Sequence, residues 1–97
     1  MFTGSEDERD LLYAVYWGFS DRVRGLLDGG TSLDTRSRDY PDWTMLHYAA
    51  FRDEPKIASL LMARGAEVDA RLRTGKTPLH LACFSGNVRV VLALLRG

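Results

Sequence analysis

Two histidines and one cysteine are the side chains of this sequence best suited to metal binding or catalysis. His47 and His80 are 33 residues apart, and Cys83 follows His80 by three residues, which puts both on one face of a helix. Imidazole and thiolate groups bind zinc, and an imidazole can act as a general base. Structural zinc sites usually take four ligands, however, and only these three are available. We therefore expect no metal, no cofactor and no catalytic residue.

The segment that carries His47 recurs in the segment that carries His80. A shift of 33 residues aligns 44–62 with 77–95 without a gap, and a shift of 35 aligns 11–36 with 46–71. Both shifts match the same leucine and alanine positions, and the shift of 35 also matches Gly30 with Gly65. We therefore predict three copies of one unit, at about 5–38, 39–71 and 72–97, with the third copy incomplete. Cys83 aligns with Ala50, which predicts a small buried residue.

Each copy has residues that typically begin and end helices, and they are spaced for a helix, a short turn and a second helix. Thr44 and Thr77 provide hydroxyls that can cap a helix N-terminus. The turns between paired helices fall at Gly18, Asp53 and Gly86. Glycine adopts the left-handed conformation readily, and aspartate can adopt it as well. The pattern predicts an all-α chain of six short antiparallel helices.

The third copy carries a recognisable motif. Residues 77–83, Thr-Pro-Leu-His-Leu-Ala-Cys, resemble the ankyrin-repeat core T-P-L-H-x-A, whose period is 33. Residues 44–50 depart from it only at Met45, and the first copy lacks the motif, as expected of a terminal repeat. The resemblance implies a solenoid of three helix-turn-helix repeats with finger loops. It also implies that His47 and His80 are structural residues that tie neighbouring repeats together by hydrogen bonds.

Composition limits the partners of the chain. Thirteen basic and thirteen acidic residues cancel, so the strong positive field that non-specific phosphate binding needs is missing, and we expect no nucleic acid partner. No basic start followed by an apolar run is present near Met1, and we expect no membrane partner. The single cysteine permits no internal disulfide. We therefore expect a reducing compartment, the cytoplasm, with the nucleus left open.

The ankyrin resemblance implies protein binding and no reaction, as in a scaffold or adaptor. In that family the first helix of each pair lines a concave palm and the loop before it projects as a finger. Exposed tyrosine, tryptophan and arginine dominate binding hot spots. On this template the predicted partner-binding residues are Tyr16, Trp17, Phe51, Arg52, Phe84 and Ser85 at the ends of the palm helices, with Arg36, Arg38, Tyr40, Trp43, Arg71, Arg73 and Lys76 in the fingers.

Two alternatives concern aromatic residues within this pattern. Phe51 and Phe84 repeat at 33 residues, so they could pack on each other instead of contacting a partner. Tyr13 and Tyr48 come one residue before the repeated alanines, and this position favours the core.

Eleven arginines against two lysines suit a partner with carboxylates and apolar groups, because guanidinium pairs with carboxylates and stacks on rings. Residues 6–10 carry a net charge of −3 and leave the rest of the chain at +3. This segregation of charge favours an acidic protein segment as the partner. Alternatively, the acidic residues serve only to keep a terminal repeat soluble.

The last helix predicts a different role. Residues 88–95 contain only one polar side chain, Arg89, and a helix that is apolar all round is expected to be buried all round. The alternative function is therefore assembly, in which this end of the chain meets further repeats of a longer solenoid or a second copy.

Overall fold

The computed structural model describes residues 6–34, 36, 40 and 42–96. Six helices form in the described ranges, with no strand: α1 Glu6–Trp17, α2 Ser20–Asp28, α3 Met45–Phe51, α4 Pro55–Ala63, α5 Pro78–Ser85 and α6 Val88–Arg96. Each first helix packs on the second helix of its own pair. The first helices α1, α3 and α5 also pack side by side, as do the second helices α2, α4 and α6. The predicted all-α architecture of three stacked helix pairs is confirmed.

The repeated threonines fix the starts of two first helices. Thr44 Oγ accepts the His47 backbone N–H, and His47 Nδ1 accepts the Thr44 N–H, both at 3.2 Å. This reciprocal arrangement is a capping box in which histidine takes the place usually held by glutamate or glutamine. Thr77 and His80 form the same box at the start of α5. The Thr-x-x-His spacing therefore satisfies the backbone donors that a helix N-terminus leaves open.

Left-handed residues make the tight turns between paired helices. Asp53 has φ 58°, and Gly18 and Gly86 have φ 80° and 74°. The prediction that Asp53 adopts this conformation is confirmed. A Cβ at Gly18 would also overlap the Glu54 carboxylate, so a side chain there would have to displace this carboxylate.

The core lies between the row of first helices and the row of second helices. Its members are apolar side chains that all three helix pairs contribute, so burying them links the pairs. The fully buried aliphatic residues of this core include Leu11, Val15, Val23, Leu46, Ile57, Leu61 and Val90. With at most twelve residues each, the described helices lack the length and apolar character of a membrane span.

Two burial predictions are wrong for a shared reason. Cys83 is exposed, whereas its aligned residue Ala50 is buried. α5 packs against α3, but within the described part of the chain no helix lies beyond α5 to cover Cys83. Tyr13 is 70% exposed, whereas its counterpart Tyr48 packs partly against the core. Tyr48 lies between Tyr16 and the Trp43 ring, and among the described residues no loop before α1 provides such a cover.

Candidate protein-binding surface

Six aromatic rings form one connected group along the surface of the first helices. We call this group the aromatic cluster; it consists of Tyr16, Trp17, Tyr40, Trp43, Tyr48 and Phe51. Ring centroids are 5.1 Å apart for Tyr16 and Trp17, and 6.4 Å apart for Tyr16 and Tyr48. Trp43 joins the rest, with its centroid 5.0 Å from Tyr48 and 6.1 Å from Tyr40. The sequence predicts five of these residues as partner-binding, and the structure joins them through Tyr48, which contacts both Tyr16 and Trp43.

A groove of about 390 Å³ opens beside the aromatic cluster. Tyr16, Trp17, Tyr40 and Tyr48 from the cluster line it, and three residues that sequence reasoning did not select, Arg9, Leu12 and Tyr13, complete it. The signal for these three was available, since residues 9, 12, 13 and 16 follow the helical spacing of one face of α1. We call this feature the aromatic groove. Its lining can receive an apolar side chain, and the lining also contains the Arg9 guanidinium, which can attract an acidic side chain.

Arg52 has structural contacts of its own within the predicted site. Its Nε donates to the Tyr16 carbonyl oxygen at 2.9 Å, and this carbonyl lies in the last turn of α1. The guanidinium carbon lies 4.3 Å from the Tyr16 ring centroid and 5.7 Å from that of Trp17. A cation at these distances is attracted to the ring face. Arg52 therefore holds the end of α1 and two rings of the aromatic cluster in place.

Phe51 and Phe84 do not pack on each other. Phe51 makes an edge contact with Trp43 at 5.7 Å, whereas Phe84 is 92% exposed. The Lys76 ammonium lies 5.9 Å from the Phe84 ring. Ser85, the last residue of α5, is exposed beside it. Phe84 and Ser85 thus lie at the far end of the row of first helices, and the aromatic cluster does not include them.

The finger between α4 and α5 is held by its own hydrogen bonds. The Leu72 N–H donates to the Lys76 carbonyl at 2.9 Å, and the Arg71 guanidinium donates to the Gly75 carbonyl at 3.1 Å. These contacts close a compact loop. Arg71 remains exposed and can contact a partner.

Asp42 connects the two fingers. Its carboxylate accepts the Arg73 backbone N–H at 2.9 Å, and this hydrogen bond lowers the pKa of Asp42 below its ordinary value. The Arg73 side chain stays exposed, as does that of Arg36 in the preceding finger. Arg38 lies outside the described residues.

His47 has the structural role that the resemblance implied. Its Nε2 lies 3.2 Å from the Lys76 carbonyl oxygen in the next finger, so Nε2 carries the proton and donates. Nδ1 accepts a hydrogen bond from the Thr44 N–H, so Nδ1 carries no proton and the ring is neutral. Burial is the main reason that the pKa of His47 lies below its ordinary value. The described residues contain no group of three histidines, cysteines or carboxylates placed to hold a metal ion.

His80 fulfils only half of that expectation. It forms the capping box with Thr77, but it is exposed, and no hydrogen bond joins it to a neighbouring repeat within the described ranges. Within the described residues, α5 is the last of the first helices, so no next repeat is there to accept a hydrogen bond from His80.

The sequence signature of the family described as ankyrin repeats (3 copies) matches residues 11–97. This chain belongs to the ankyrin-repeat family. It is similar to a probable E3 ubiquitin-protein ligase, XBOS31, of Oryza sativa subsp. japonica, with 36% identity over 94% of this chain and 20% of the relative. It is also similar to the 2-5A-dependent ribonuclease of Homo sapiens, with 34% identity over 88% of this chain and 11% of the relative. NF-kappa-B inhibitor alpha of Gallus gallus is 43% identical over 53% of this chain and 16% of that protein.

The chain spans about a fifth or less of the length of these curated relatives. Their names describe a ligase, a ribonuclease and an inhibitor, whereas the segment they share with this chain is the ankyrin-repeat segment. The shared repeats therefore do not account for the differences between the activities of these relatives. Ankyrin repeats are a non-catalytic fold and generally act as protein–protein interaction modules.

Proposed function

We propose that this ankyrin domain binds a protein partner through the surface of its first helices and fingers. The observation that carries the proposal is the aromatic cluster with its adjoining groove. Trp17 and Tyr40 are more than half exposed although each contacts another ring, so these rings are ordered before any partner arrives. Aromatic side chains held in this way bury a large area on binding and lose little conformational entropy.

The partner segment that fits this surface combines apolar side chains with carboxylates. The aromatic groove accepts the apolar part. Arg71, Arg73 and Lys76 present exposed cations from the finger beside the first helices, and guanidinium groups pair with carboxylates in a planar fork. A domain with these properties serves as a scaffold or adaptor. We place it in the cytoplasm, because its single cysteine forms no internal disulfide.

A pull-down from the protein's own cell lysate tests this proposal. Trp17→Ala and Tyr40→Ala remove exposed rings from the aromatic cluster. Phe19→Ala is the matched control, because Phe19 is a similarly exposed ring in the turn after α1 and outside the cluster. A partner that the unmodified domain and the Phe19 variant retain, and that both cluster variants lose, supports the proposal. Retention of every partner by all three variants contradicts it.

A second candidate function is assembly through α6. Val88, Leu92 and Leu95 are each half exposed or more, although they are large apolar residues. Leu95 aligns with Met62 of α4, which packs partly against the core, and α6 packs on α4. A further repeat, or a second copy, would cover Leu95 in the same way. Light scattering tests this candidate: the domain should self-associate at micromolar concentration, and the Leu92→Glu/Leu95→Glu variant should remain monomeric.

A further inference from the structure

The second helices form the opposite surface of the domain, and a groove of about 640 Å³ crosses them. Four cationic side chains line it: Arg24 on α2, Lys56 on α4, and Arg89 and Arg96 on α6. Asp21 is the only carboxylate in the lining. The groove therefore has a net charge of +3 in a chain whose net charge is zero. We call it the basic groove.

The four cations of the basic groove have no carboxylate partner within 4 Å anywhere in the described chain. Arginines close by are paired, in contrast. Arg22 forms an ion pair with Asp10 at 2.7 Å, and Arg64 forms one with Asp28. The fold thus pairs these two arginines with carboxylates and leaves the four cations of the basic groove exposed. Unpaired cations gathered in one concave feature attract an anionic ligand.

The lining favours a carboxylate-bearing chain over nucleic acid. No aromatic side chain lines the basic groove, whereas proteins that hold single-stranded nucleic acid provide rings on which the bases stack. The Asp21 carboxylate would also repel a backbone that is charged at every unit. Leu60, Pro55 and Ala93 provide apolar contacts for the methylene groups of glutamate. We propose that the basic groove binds an acidic peptide segment in the polyproline II conformation.

The repeat spacing fixes the charge pattern of that segment. Lys56 and Arg89 align under the 33-residue shift, so they hold the same position on the neighbouring helices α4 and α6. Packed helices lie about 8–10 Å apart. A peptide in the polyproline II conformation advances about 3.1 Å per residue with about three residues per turn, so side chains at every third position share one face and lie about 9 Å apart. The peptide that fits has an acidic side chain at every third position, with small or apolar residues between.

Fluorescence anisotropy with a labelled nonapeptide tests this inference on the whole chain. The peptide carries glutamate at every third position, and a second peptide of the same composition has its glutamates adjacent. We expect Lys56→Gln/Arg89→Gln to weaken binding about fivefold, and Asp21→Asn to tighten it about twofold. The spaced peptide should bind more tightly than the clustered one. Because the three substituted side chains are exposed, circular dichroism should show unchanged folding.

Arg22→Gln/Arg64→Gln is the matched control, since it removes the same charge from two cations that do not line the basic groove. An equal loss in this control means that only the overall charge acts, and this overturns the inference. Lack of binding at millimolar peptide overturns it too, as does tighter binding of an oligothymidylate of equal charge. A peptide whose affinity falls in Trp17→Ala but not in Lys56→Gln/Arg89→Gln binds the aromatic groove, which refutes the basic groove and leaves the proposed function standing.

Discussion

The capping boxes of α3 and α5 use the same residues and nearly the same geometry, yet their surroundings differ. The distance between threonine Oγ and histidine Nδ1 is 2.8 Å in both boxes. His47 is buried, and its second nitrogen donates to the Lys76 carbonyl of the next finger at 3.2 Å. His80 is exposed and makes only the local contacts. The motif itself thus sets the start of a helix, whereas the following repeat decides whether the histidine also joins two repeats.

The same contrast holds for side chains that make no hydrogen bond. Ala50 is buried by α5, and its aligned residue Cys83 is exposed. Phe51 contacts the Trp43 ring, and its aligned residue Phe84 is almost fully exposed. In a solenoid each repeat contacts only its neighbours, so an end position changes the environment of a residue without changing the residue.

The largest expected effect comes from removing the two histidines one at a time. His47→Ala should lower the free energy of unfolding by about 2 kcal/mol or more, because it leaves the part-buried Thr44 N–H and the Lys76 carbonyl without the hydrogen bonds that His47 makes to them. His80→Ala removes only an exposed part of a cap and should lower it by about 0.5–1 kcal/mol. Urea denaturation measures both values. Equal losses would contradict the distinction between His47, which bonds to the next repeat, and His80, which makes only local contacts among the described residues.

A smaller effect is expected at Asn87, which lies in the turn after α5. Its side-chain amide donates to the carbonyl of Ala50, near the end of α3, over a distance of 2.8 Å. This is a second hydrogen bond between neighbouring repeats. Asn87→Ala should lower the free energy of unfolding by about 1 kcal/mol. Ser85→Ala, at the exposed end of the same helix, is the control and should change it by less than about 0.5 kcal/mol. A loss at Ser85 that matches the loss at Asn87 would argue against this inter-repeat bond.

The smallest effect is the pH dependence that His47 confers. Burial lowers the pKa of His47 in the folded state, so below about pH 6.5 the unfolded chain binds the proton more readily. The stabilisation is complete above that pH and should decrease as the pH falls toward the folded pKa. Burial raises the pKa of Glu54, which acts with the opposite sign but at lower pH, near its ordinary 4.5. NMR titration should show His47 protonating below pH 6.5; protonation above that value would contradict the buried hydrogen bonds.

The repeated sequence was sufficient to predict the helix pairs, the capping threonines and the left-handed Asp53. These features depend on residues close in the chain. It was insufficient for the exposure of Cys83 and Tyr13, because aligned positions were assumed to have equal surroundings. The aromatic groove was predicted only in part for a related reason. Arg9 and Leu12 belong to the first copy, which lacks the repeat motif, and only the packing of α1 beside α3 brings them to Tyr48.

Affinity for the partner recovered by the wild-type domain tests the central claim most directly. Calorimetry should compare Trp17→Ala with Phe19→Ala, which remove rings that are 54% and 58% exposed in the free domain. If the aromatic cluster is the binding surface, the tryptophan substitution should weaken binding by about 2 kcal/mol or more and the phenylalanine substitution by less than about 0.5 kcal/mol. Equal affinities of the two variants would contradict the claim that this ankyrin domain binds through the surface of its first helices.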